Sequence, residues 1–139
     1  MSNNIFDDMA AMHQHYGVDK WVANATPEQL HQFLIFRVNF LKEEFDETFA
    51  AVGNKDPEEI VDGLIDLIVI AAGTLDSFGV DGQAAWEEVL RANMSKEIGV
   101  KETRPNPLGL PDLVKPDGWL GPCHRSNHGI LGKAFNESK

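Results

Sequence analysis

The sequence predicts an all-α fold. Three observations carry this expectation. Apolar residues recur at threes and fours through the first hundred positions, helix starts stand just ahead of two long apolar stripes, and strand-like alternation persists nowhere. The expected architecture is a helical bundle of four main helices followed by an extended Pro/Gly-rich C-terminal arm. The first helix carries Ile5, Met9 and Met12 and ends near Gly17. The second opens at 26-TPEQ-29, where Thr26 can cap, Pro27 suits the first turn and Gln29 can reach back. Its stripe is Leu30, Phe33, Leu34, Val38, Leu41, Phe45 and Phe49, and it runs to about Val52 before 53-GNKDP-57. The third starts in the same manner at Asp56-Pro57-Glu58-Glu59. It passes through Ile60, Leu64, Leu67, Ile68 and Ala71 to about Phe78. The fourth covers Ala84 to about Lys96, with Trp86, Val89 and Leu90 expected inward.

The character changes after Gly99. Residues 104–122 hold five prolines and three glycines, which forbids a long helix. The stretch nevertheless keeps Leu108, Leu110, Leu113, Val114, Trp119 and Leu120, more apolar groups than a disordered tail usually carries. The expectation is an arm packed on the bundle or on a neighbouring subunit. Residues 1–99 are thus the helical domain, and 100–139 its arm.

Composition narrows the function. The 139 residues suit one domain, 42% are hydrophobic, and the formal net charge is −10. Such a chain repels phosphate backbones and anionic lipid, so nucleic acid and membrane are not expected partners. The opening 1-MSNNIFDDMAAM-12 carries two aspartates and does not read as a leader, and 67-LIVIAAG-73 is too short to span a bilayer. Cys123 is the only cysteine, which excludes an internal disulfide. The reading is a soluble, cytoplasmic protein.

Two acidic stretches remain. In 42-KEEFDET-48, Glu43, Glu44, Asp46 and Glu47 crowd five positions. Glu44 and Glu47 share a helix face, with Glu43 beside Glu47. In 58-EEIVDGLID-66, Glu59, Asp62 and Asp66 line one side at spacings of three and four. Each stretch alone reads as a solvated face. The second is harder to dismiss, because Asp62 and Asp66 interrupt an apolar run, and burying an unpaired carboxylate costs several kcal/mol. Gly63 leaves room for close helix approach. If the two helices pack antiparallel, the two sets converge, and the repulsion calls for cations or protons. Hard divalent ions such as Mg²⁺ suit these oxygen donors and bridge phosphates, which points to phosphoryl chemistry.

The ordered set 43-EEFDE-47, 59-EIVDGLID-66, 73-GTLDSFGVD-81 and 92-ANMSK-96 resembles the MazG-like nucleoside triphosphate pyrophosphohydrolases. It looks like the branch that includes phosphoribosyl-ATP pyrophosphatase-like proteins. The resemblance covers about residues 28 to 97. It implies cleavage between the α and β phosphates with Mg²⁺ or Mn²⁺, in a helical bundle that forms dimers or dimers of dimers. By position, Glu44, Glu47, Glu59 and Asp62 match metal ligands, Glu43 an extra acid and Asp66 an acid of this branch. One of Glu43 and Glu44 orients the attacking water. Asn93 and Lys96 match a polar-basic pair, with Lys96 either meeting phosphate or simply complementing a helix C-terminus. Arg37 is expected to pair with a carboxylate or touch phosphate, pairing being favoured. Likeness to short forms, many of them phage proteins, favours purine deoxynucleotides such as dGTP or dATP; a phage-encoded copy would work in host cytoplasm. dUTP or dCTP is the runner-up, and the extra arm weighs against phosphoribosyl-ATP. A non-catalytic helical dimerisation module is the competing reading. Cys123, His124 and His128 are three zinc-type ligands where a structural site takes four, so a polar loop is favoured. Trp119 is expected as a packing anchor rather than a base-stacking platform.

Overall fold

The computed structural model describes residues 4–101, 108–110 and 112–135. It is all-α apart from one small ribbon. The helices are α1 (Ile5–Tyr16), α2 (Val18–Asn24), α3 (Pro27–Gly53), α4 (Pro57–Ser77) and α5 (Gly82–Met94); β1 (Glu97–Gly99), β2 (Asp112–Val114) and a 3₁₀ turn at Leu131–Phe135 follow. Residues 102–107, Pro111 and residues 136–139 of the expected arm lie outside the described residues.

Local chemistry sets the helix ends. Asn4 accepts from the Asp7 amide at 2.9 Å to start α1. Gly17 ends it at φ 77°, a conformation that glycine adopts without a Cβ penalty. Thr26 and Gln29 form the expected reciprocal capping box, at 3.1 and 2.8 Å. Asp56 caps α4 through the Glu59 amide at 3.2 Å. Two elements differ from expectation. The chain restarts at once after Gly17 as α2, a seven-residue helix with no side-chain cap. The β1–β2 ribbon, paired Glu97 to Val114 through Gly99 to Asp112, is held by pairing rather than by alternation.

The chain clusters into two compact units, residues 1–82 with 127–139 and residues 83–126. One division falls at the start of α5 and the other inside the stretch after it.

In the first unit, the short turn after Gly53 sends α4 back along α3. The antiparallel register is read from contacts: Thr48 meets Gly63, and Arg37 reaches Ile70 and Thr74. A core of Val22, Leu30, Phe78 and Ala134 is flanked by Phe33, Leu34 and Ile130. The Trp21–Phe33 and Phe33–Phe78 ring pairs extend it, at 5.3 and 5.9 Å between centroids. The Ile130 amide donates to the Phe78 carbonyl at 2.7 Å, and Gly129 leaves no room for a side chain against that carbonyl.

In the second unit, the Trp119 indole donates to the Ala92 carbonyl and the Ser95 hydroxyl, both at 2.9 Å, as expected of an anchor. Arg91 ties Glu88 to the Leu120 and Gly121 carbonyls. Ala92 is buried on α5, whereas Trp86, Val89 and Leu90, expected inward, are exposed. Leu108, Leu110, Leu113 and Leu120 of the arm are exposed as well. Long stripes on the first unit behave likewise: Phe45 is 56% and Phe49 70% exposed on α3, with Val61, Leu64, Ile65 and Ile68 exposed on α4. Periodicity marks an apolar face without saying which chain covers it.

Candidate active site

Carboxylates from α3 and α4 meet across their contact. Glu44, Glu47 and Thr48 face Glu59, Asp62, Gly63 and Asp66 around a cavity of about 70 Å³. The convergence follows from the antiparallel register. Glu44 and Thr48 lie one turn apart on α3, with Glu47 between them on the same side. Glu59 and Asp66 lie one turn to either side of Asp62–Gly63 on α4. Five of the six acids matched to site positions line this cavity; Glu43, next to Glu44 in the chain, is exposed to solvent.

The electrostatics match the crowding. Glu44 is half-buried, and its carboxyl is pushed above its ordinary range, first by desolvation and then by the charges of Glu47, Asp66, Asp62 and Glu43. The α4 aspartates are less buried than the apolar run around them suggests. Asp62 is exposed and Asp66 only half-buried, because the apolar neighbours Val61, Leu64 and Ile65 are themselves exposed. What marks the two aspartates is that they face Glu44, rather than that they are buried.

The donor set fits a hard divalent cation by type and charge: the side-chain donors are all oxygen, five of them carboxyls, with no thiolate or imidazole in the lining. Among the described residues, no three His, Cys, Asp or Glu side chains are drawn together around one point as they stand. The same holds for Cys123, His124 and His128, and Cys123 is a free, exposed thiol.

Three further residues were expected at the site. Arg37 is a correction. Its guanidinium donates through Nε to Thr74 Oγ1 and through Nη2 to the Ile70 carbonyl, both at 3.0 Å, so it ties α3 to α4 instead of pairing with a carboxylate. Partial burial lowers its pKa from the ordinary value. Asn93 and Lys96 belong to the second unit. Asn93 borders a hollow with Trp86, Val89 and Leu90. The Lys96 ammonium stands 5.3 Å from the Trp119 ring centre, and that of Lys115 stands 5.1 Å from it. Thr48 was not singled out in the sequence. Its signal was there: it follows Glu44 by one turn, on the face that meets Gly63.

An all-α chain in which facing helices present an E-x-x-E and an E-x-x-D set is of the MazG-like nucleotide pyrophosphatase class. A family model for phosphoribosyl-ATP pyrophosphohydrolase matches residues 20–93, more than half of the chain, and the chain belongs to that family. This makes it a pyrophosphohydrolase of nucleotide phosphoanhydride bonds. No curated protein and no solved structure matches it.

Proposed function

We propose that the protein hydrolyses nucleoside triphosphates between the α and β phosphates, releasing a monophosphate and pyrophosphate, with Mg²⁺ or Mn²⁺. The observation that carries this reading is the carboxylate-lined cavity between α3 and α4, in a chain of a pyrophosphohydrolase family. Glu44, Glu47, Glu59 and Asp62 are the residues that would hold the cation. A divalent ion there supplies positive charge to phosphate oxygens and offsets the carboxylates. Glu44 is preferred over Glu43 for orienting the attacking water, because it lines the cavity and is half-buried whereas Glu43 points to solvent. Asp66, which lines the same cavity, is the candidate for contact with the rest of the substrate.

Purine deoxynucleotides such as dGTP and dATP are the favoured substrates, for control of the cytoplasmic nucleotide pool, with dUTP and dCTP as runners-up. Phosphoribosyl-ATP is a second reading supported by the family match itself, and the same bond is broken in every case. The active species is a homodimer or homotetramer, which the apolar α3 and α4 faces support: Phe36, Phe45, Phe49, Leu64 and Ile65 are too many exposed large groups for one chain. The deciding experiment incubates the protein and Mg²⁺ with each of these nucleotides and resolves the products by chromatography. Pyrophosphate release that EDTA abolishes is the expected result. Release of single phosphate alone would overturn the proposal.

A further inference from the structure

The closest approach of α3 and α4 at the acidic cavity is between Thr48 and Gly63, neither of them an acid. We infer that Thr48 and Gly63 form a spacer that positions the two carboxylate sets, so that Thr48 is a positioning residue of the site. The inference rests on the functional reading above and adds a residue to it.

Four observations converge. Thr48 is a buried polar residue on α3, and both it and Gly63 line the cavity. Its hydroxyl donates to the Glu44 carbonyl at 2.7 Å, which fixes the rotamer and binds the threonine to the turn bearing Glu44. A Cβ on Gly63 would collide with that hydroxyl oxygen and would stand 3.1 Å from the Thr48 Cβ. The acids radiate from this point: Glu44 and Glu47 lie four and one residues before Thr48, and Asp62 and Asp66 one before and three after Gly63. The helices are therefore as close here as a threonine against a glycine permits. Any added bulk at Gly63 displaces both sets at once.

Helix propensity predicts the opposite of this geometry. Alanine is the better helix former, and an alanine in open space at this position would stabilise α4. Glycine is required only if the Thr48 contact must be kept. The severe overlap is with one oxygen, so removing it should leave only the 3.1 Å approach of the two Cβ atoms, which a shift of a few tenths of an ångström accommodates.

The test compares the parent protein, Gly63→Ala, Thr48→Ala and the double variant. Circular dichroism checks that each is folded, calorimetry measures Mn²⁺ affinity, and pyrophosphate release gives kcat and KM. Gly63→Ala should lose about a hundredfold in kcat, the scale of an ångström-sized misplacement, and bind Mn²⁺ at least tenfold more weakly. The double variant should recover both to near the level of Thr48→Ala alone. That rescue cannot arise from two independent structural losses. A folded Gly63→Ala protein with parental Mn²⁺ affinity and turnover overturns the inference, as does a double variant no better than Gly63→Ala. A parent that binds Mn²⁺ but releases no pyrophosphate fails the functional reading alone, and the Mn²⁺ measurements still decide this one. A parent that does neither overturns both.

Discussion

Glu44 is the residue on which charge, burial and position coincide. Its carboxyl holds a proton more tightly in the folded chain than in the unfolded one. The proton-linked stability is fully present below the unfolded pKa and is lost as pH rises through that value and then through the raised folded value. Metal-free Glu44→Gln, which cannot ionise, should therefore melt further above the parent at pH 8 than at pH 5. A difference that stays constant between these pH values would contradict the crowding of Glu44 by Glu47, Asp66 and Asp62. Arg37 works by another route. With two hydrogen bonds to α4 and a half-buried stem, Arg37→Ala should lower stability by about 1–3 kcal/mol in urea denaturation. A loss confined to KM would restore it to the substrate. The acids were legible in the sequence because helical periodicity alone puts Glu44 with Glu47 and Asp62 with Asp66. Arg37 was not, since nothing in its spacing distinguishes a carboxylate from a backbone carbonyl on the facing helix.

At the scale of elements, the long helices were legible and the short ones were not. Both α3 and α4 announce their starts through a capping side chain, a proline and an acid in the first turn. Thr26→Ala removes one half of a capping box and should cost about 1 kcal/mol, read as a lower melting temperature. An unchanged melt would mean that tertiary contacts alone hold the start of α3. By contrast, α2 has seven residues and no side-chain cap, so no local signal separates it from a turn. The strands β1 and β2 have three residues each, and a non-local pairing defines them. Such short elements follow from their neighbours, as propensity is too weak over so few positions.

For the whole molecule, the apolar stripes were legible but their partners were not. The same periodicity that foretold buried stripes on α3 and α5 describes equally well a face that waits for another chain. Exposure of Phe45, Phe49, Leu64 and Ile65 leads to the expectation of a dimer or tetramer in solution scattering at micromolar concentration. A monomer there would remove the oligomer from the account. Among the described residues, no single helix is long and apolar enough to cross a membrane. The central claim is that the acids facing each other across α3 and α4 carry the chemistry, and Asp62→Asn tests it most directly. The substitution keeps shape and most hydrogen bonds while replacing an anionic oxygen with a neutral one. Pyrophosphate release in Mg²⁺ should fall about a hundredfold or more, because a metal contributes several kcal/mol and each ~1.4 kcal/mol is tenfold in rate. The metal-free variant should meanwhile melt no lower than the parent, since a repelling charge has gone. Asp62→Asn protein that releases pyrophosphate at the parental rate would contradict the claim.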